Sequence, residues 1–444
     1  MGNSTEKISK FLKTNTTSMS LFLQAALNIG GGLVMLFNQD MFFKTITQIV
    51  FAYFSLVLFL NGLEIIFSLA SGLKKLFVTI LKSLAAFCVI VFLSFNIHRI
   101  WALIPLIMAA WAILVGFGSF VSFVQYRKEK TSAPFRFLFS ALANLGFGAY
   151  FILNIVEKVP AGVKVLGAYL IVLGVSSLFD CVSSATPDRL KKQLKRHVRI
   201  TAPPFLTALI PVKTLSGIND FFAQSGEQDI DLTLQKDVTP PNVEVFVHVT
   251  QDGFGSMGHV DVAIEDRVVS FGGYDLEKMK LDGAIGVGVL FEHYKKDEYI
   301  KFCQKQSGKT LFGFGLVLTQ EEIGKILAKL EEIKTRTYVW ECRAQQAEKV
   351  GESTAQITDY ASELYKATGA TFYKFSSGSF KYYWVLGTNC VRLADTLLCA
   401  SGLDTIVNGI ITPGTYYDYL NREFMRNGSR VVKRTVYLNP KNEG

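Results

Sequence analysis

An apolar run long enough to cross a bilayer does not fit an ordinary soluble core, and this chain contains six of them. A helical crossing needs about 20 such residues. The runs fall near 19–38, 46–70, 76–97, 100–124, 135–156 and 163–184. In hydrocarbon every backbone N–H and C=O must be satisfied within its own segment, so each run is expected as a helix. Little more than His98 and Arg99 separates the third from the fourth, which forces a tight hairpin there. Beyond residue 240 the residue mix is that of a globular domain. The expected organisation is a polar cytoplasmic tail over 1–18, a six-helix transmembrane domain over 19–185, a basic segment and linker over 186–240, and a soluble domain over 241–440.

The net charge of +9 raises the question of nucleic acid, but its placement answers against it. Much of the charge flanks the apolar runs, in Arg127-Lys128-Glu129-Lys130 and between Arg189 and Arg199. Topology and anionic lipid headgroups explain Lys and Arg in those places, so membrane lipid is the expected partner and nucleic acid is not. Counted by side of the bundle, Lys and Arg divide 15 to 4. The richer side is expected in the cytoplasm, with both termini on it. A cleaved leader is not expected, because the first run is long and others follow it. Myristoylation would want Ser or Thr where Glu6 stands. The six cysteines and five histidines show no disulfide-like or metal-ligand spacing, so no metal or cofactor is expected.

Glu64 and Lys82 fall inside apolar runs, at similar distances from the loop between the second and third. Intramembrane charge is costly, so the two are expected to pair, or Lys82 to reach toward the interface. An internal repeat is also visible. Asn28-Ile29-Gly30 recurs as Asn144-Leu145-Gly146, and Gly62, Gly116 and Gly174 mark similar places in the second, fourth and sixth runs. The repeating unit is a helical hairpin of about 55 residues, present three times. Small residues at such places let helices approach closely. On these features residues 19–185 resemble the HdeD family of six-span bacterial membrane proteins. The resemblance implies a bacterial plasma membrane and a link to acid-stress resistance.

Residues 186–200 carry Leu190, Leu194 and Val198 opposite a basic face. They are expected either as an amphipathic helix on the membrane surface or as a continuation of the sixth run. Residues 201–240, punctuated by prolines, are expected to have little stable structure of their own.

From Val243 the pattern becomes that of strands: Val243 to Val249, His259 to Ile264, Arg267 to Phe271 across a Glu265-Asp266 turn, and Leu311 to Leu318. Thr319 with Glu322 three residues later predicts a capped helix whose stripe is Ile323, Ile326, Leu327 and Leu330. A second helix is predicted to begin at Thr388-Asn389-Cys390 and to close at Gly402. Cys390 in a first helical turn feels the positive end of the dipole, which favours thiolate, and the unpaired amides there suit an oxyanion. His259, at the start of a strand after a Gly-rich loop, supplies a candidate base.

With Gly258 to Ile264, Arg267 to Ser270, Thr388-Asn389-Cys390, and the later Thr412-Pro413 and Tyr416 to Leu420, residues 240–425 resemble the permuted branch of NlpC-type papain-like thiol enzymes, which includes lecithin:retinol acyltransferase-like proteins. The resemblance implies an α+β papain-like domain with Cys390 as nucleophile and His259 as base. The third polar group is open between Ser270, on the returning strand, and Asp261, on the face of His259. The expected activity is hydrolysis or transfer of a lipid or peptide acyl group through an acyl-enzyme. The alternatives are a non-enzymatic stress-response membrane protein with a binding domain, and a transporter centred on Glu64 and Lys82. Ser307-Gly308-Lys309-Thr310 precedes a strand and lacks the leading glycine of a P-loop, so nucleotide binding is not expected. Cys399 is expected in the core, and His248 and His293 have no partner visible in the sequence.

Overall fold

The structure is a computed structural model. It describes residues 2–68, 73–128, 135–153, 155, 157–185, 198–199, 233–236, 239–249, 258–281, 283–305, 309–403, 405–406, 412–426 and 428–437. The chain divides into two compact units, one of residues 22–116 and 142–178, the other of 1–21, 117–141 and 179–444.

Six helices come first: α1 (Gly2–Phe37), α2 (Gln39–Ser68), α3 (Leu73–Trp101), α4 (Leu103–Lys128), α5 (Phe135–Ile152) and α6 (Val159–Ala185). Among the described residues, Gln39–Ile65, Leu103–Val121 and Val159–Phe179 are long and apolar enough to cross a membrane. Leu21–Phe37, Phe77–Phe92 and Leu138–Ile152 are shorter apolar stretches. The polar tail is itself helical, since no Gly or Pro interrupts residues 3–29. α6 opens four residues before the expected start, with Pro160 in its first turn, where a fixed φ and a missing N–H do no harm. Large apolar side chains such as Phe37, Phe59 and Phe139 stand exposed on these helices, as suits a surface facing lipid.

Two equivalent close contacts express the repeat. A Cβ on Gly174 of α6 would meet Ile29 of α1 at 2.5 Å, and one on Gly116 of α4 would meet Leu145 of α5 at 2.8 Å. Gly32 and Gly167 also bring the backbones of α1 and α6 together. Within the Asn-x-Gly triplets the middle aliphatic residue makes the contact, whereas Gly30 and Gly146 face open space. α2 and α3 pack along one another. On them Glu64 is half-buried and Lys82 exposed, and no ion pair joins these two among the described residues.

Most of the basic segment and linker lies outside the described residues. Its end departs from the helical expectation: Val198–Arg199 forms β1, parallel to β12 (Thr405–Ile406). Leu234–Gln235 is β2. The remaining strands are β3 (Val243–Val249), β4 (His259–Ile264), β5 (Arg267–Gly272), β6 (Ile285–Val287), β7 (Val289–His293), β8 (Thr310–Leu316), β9 (Thr337–Trp340), β10 (Thr371–Phe375), β11 (Tyr382–Trp384) and β13 (Val431–Tyr437). Among the described residues, nine strands form one antiparallel sheet in the order β2-β13-β8-β3-β4-β5-β7-β10-β9. β6 and β11 pair separately.

Alternation of side chains gives the large sheet two faces. Val243, Val245, Val247, Val260, Val262, Phe312 and Phe314 bury one face against α8 (Gln320–Lys334), α11 (Cys390–Ala400) and α12 (Pro413–Met425). Phe246, Ala263, Phe291 and Phe372 bury the other against α7 (Lys296–Lys305), α9 (Arg343–Lys349) and α10 (Tyr360–Thr368). α8 carries the expected capping box between Thr319 and Glu322. α11 ends at Ser401, followed by Gly402 at φ +84°, a left-handed conformation that favours glycine. β3, β4 and β5 lie at the centre of the sheet, and α11 packs across β4 and β5.

Candidate active site

Asn389 caps α11, its side-chain oxygen accepting from Arg392 N at 3.1 Å while its Nδ2 donates to Val385 O at 2.8 Å. Cys390 is therefore the first helical residue. Its own amide and that of Val391 meet no carbonyl of the helix. The thiol is almost wholly buried, at 2% exposure, and lies close enough for its charge to act on His259.

The imidazole sits where β4 begins, and its Nε2 is surrounded. Ser270 Oγ lies at 2.8 Å, Tyr274 OH at 3.0 Å and Asp261 Oδ1 at 2.9 Å. Ser270 and Tyr274 also bond each other at 2.8 Å. Sheet register produces the cluster. Asp261 is two residues along the strand from His259 and so shares its face. Ser270 falls opposite Asp261 when the β4–β5 pairing of Val262 with Val269 is carried on by one residue. His248 of β3 stands directly across from His259. The diagonal from His248 to Asp261 is short enough for side chains to meet.

His248 Nε2 is in fact 2.6 Å from Asp261 Oδ2, and Tyr299 of α7 donates its hydroxyl to the same oxygen. The two His–Asp contacts are close but not aligned as hydrogen bonds. The hydroxyls of Ser270 and Tyr274 are aligned. The two candidates for the third position therefore divide the work: Ser270, with Tyr274, fixes the ring direction, and Asp261 supplies the compensating charge.

Burial opposes charge on His259, but the nearby charges of Cys390 and Asp261 prevail, raising its pKa to about 10. Burial likewise opposes charge on Asp261, yet the two histidines hold its carboxyl well below the usual range. His248 goes the other way. Its burial outweighs the attraction of Asp261 and lowers its pKa, keeping it neutral. One carboxylate thus sits between a charged and a neutral imidazole.

The structure brings together Cys390, His259, Asp261 and Ser270. Glu64 and Lys82 belong to the other compact unit. Sequence reasoning missed His248, Tyr274 and Tyr299. The signal for His248 was available: with β3 and β4 paired antiparallel, His248 and His259 face each other. Cys399 is half-buried rather than in the core, and its thiol donates to Asp395 at 3.7 Å. His293 has neighbours after all. Its Nδ1 accepts from Lys295 N at 3.3 Å, its ring stacks on Phe291, and burial lowers its pKa to about 4. Among the described residues no cluster of His, Cys, Asp and Glu suits a metal ion. No family model, curated protein or solved structure matches the chain.

Proposed function

We propose that the chain is a membrane-tethered thiol acyl hydrolase or acyltransferase, built as a six-span bundle carrying a permuted papain-like domain. The single observation that supports this is the buried polar cluster that Asp261, Ser270 and Tyr274 build around the His259 ring, with the charge of Cys390 acting on that ring. In the proposed reaction the Cys390 thiolate attacks the carbonyl carbon of an ester, thioester or amide. The first-turn amides of α11 hold the oxyanion. Protonated His259 gives its proton to the leaving oxygen, sulfur or nitrogen as the C–X bond breaks, leaving a thioester on Cys390. Neutral His259 then takes a proton from water, an alcohol or an amine, which attacks the thioester and releases the product. Asp261 stabilises the imidazolium that appears in each half. A bilayer anchor, with the domain on the cytoplasmic side, concentrates it near lipid or membrane-protein acyl groups.

The test is an acyl-thioester probe added to the full-length protein in detergent, read by intact mass. A single acyl adduct on Cys390 is expected, absent in Cys390→Ala and formed at least about 100-fold more slowly in His259→Ala. Equal labelling of Cys399 or Cys88 would overturn the reading. The 2% exposure of Cys390 favours a second reading, a non-enzymatic HdeD-like stress-response protein whose domain only binds. That reading requires no acyl adduct under any condition.

A further inference from the structure

Away from Cys390, the end of α8, the loop after β10 and the outer side of α11 line an open pocket of about 270 Å³. Its wall includes Lys329, Glu332, Arg336, Ser377, Ser379 and Arg392. Phe375 and Phe380 form an apolar side. Lys329 is already committed, its ammonium holding both oxygens of Glu332 at 2.8 and 2.9 Å. The two arginines are not. Among the described residues neither guanidinium forms an ion pair, and the hydroxyls of Ser377 and Ser379 form no hydrogen bond there. Gly378 between them adopts φ +92°, and a Cβ on it would lie 3.2 Å from Arg336 Nη1, so glycine lets this loop close on the arginine. Two uncommitted guanidinium forks and two hydroxyl donors, turned on one cavity, constitute an anion-recognition set.

We propose that this cavity binds a phosphate group carried by a larger, partly apolar molecule. The charge of a phosphomonoester, about −1.5 to −2 at neutral pH, matches two free guanidinium groups better than a single carboxylate does. The space exceeds what the phosphate alone needs, and Phe375 and Phe380 offer an apolar wall to the rest of the molecule. The same headgroup chemistry belongs to a phospholipid and to a soluble phosphate ester. The inference does not depend on the reactivity of Cys390.

The experiment titrates full-length protein, in a phosphate-free glycoside detergent, with inorganic phosphate by calorimetry. Saturable binding is expected, weakened roughly tenfold by Arg392→Gln and by Arg336→Gln. Lys325→Gln, which removes an exposed ammonium paired with Glu321 on the same helix, should leave it unchanged. Arg336 is exposed, so its replacement tests the site even if Arg392→Gln unfolds. In nanodiscs containing phosphatidic acid, lost phosphate affinity assigns the site to a lipid headgroup, and retained affinity assigns it to a soluble ester. Absence of phosphate binding to the wild type, or an equal loss in Lys325→Gln, overturns the proposal.

Discussion

Asp261 and Glu292 are both buried carboxylates of the same sheet, and they differ in what surrounds them. Glu292 of β7 is gripped by Arg267 of β5 at 2.5 Å, Lys334 of α8 at 2.5 Å and the Tyr373 hydroxyl of β10 at 2.8 Å. Arg267 also bonds Glu331 at 2.8 Å. These cations stay charged across the physiological range, so the cluster clamps three strands to a helix and has nothing to exchange. Asp261 is flanked by two imidazoles, groups that gain or lose protons with modest changes in surroundings, and by the Tyr299 phenol, which burial keeps protonated. One carboxylate fixes elements in place. The other sets the charge state of the imidazole beside it.

Substitutions should separate these roles. His259→Ala is expected to slow acylation of Cys390 by about 100- to 10,000-fold, while Glu292→Gln should leave that rate within about twofold, both read by probe labelling over time. Stability should respond in the opposite order. Glu292→Gln strands Arg267 and Lys334 and should cost about 3 kcal/mol in chemical denaturation. Asp261→Asn should cost about 1–2 kcal/mol, because His259 relaxes to the neutral form, and should slow acylation about 10- to 100-fold.

A pH series gives the next contrast. His248 and His293 have lowered pKa values in the fold, so they favour it fully above their unfolded value of 6.5. That stability drains as pH falls below 6.5, for His293 down to about 4. Glu292 is a depressed carboxylate, so its contribution is present above 4.5 and is lost only at lower pH. Acid destabilisation should therefore begin near pH 6, and His248→Gln with His293→Gln should remove that early limb from melting curves. At the alkaline end, the raised pKa of His259 gives stability that is full below 6.5 and lost as pH passes about 10. The smallest effect contrasts two helix caps. Asn389→Ala and Thr319→Ala should each cost about 1 kcal/mol, but only Asn389→Ala, next to the thiol, should also alter labelling.

The parts legible in the sequence are those set by local pattern. Apolar length marks the N-terminal helices, of which three meet the full length and apolarity of a crossing. The Thr319–Glu322 spacing marks the start of α8, and Asn389 before Cys390 marks that of α11. His259, Asp261 and Ser270 could be named because one tight turn fixes how β4 meets β5. His248 escaped because a nine-residue connection, 250–258, separates β3 from β4 and conceals their register. Tyr299 reaches Asp261 from a helix that follows three further strands in the chain, so no local spacing foretells it. Val198 was misread because Leu190, Leu194 and Val198 fit a helical period, while its actual partner, Thr405, lies in the last fifth of the chain.

The position of α11 in the chain order has a consequence for biosynthesis. His248, His259, Asp261, Ser270, Tyr274 and Tyr299 all leave the ribosome before Cys390 does. At about 5–20 residues per second, the interval between Tyr299 and Cys390 lasts on the order of ten seconds. The Cys390 thiol emerges last, when the groups around His259 already exist, so a nascent chain never exposes this thiol ahead of that histidine. β13, later still, must enter between β2 and β8. The sheet is therefore sealed only after translation has passed Cys390, and a chain truncated before that point carries the histidines without the sulfur.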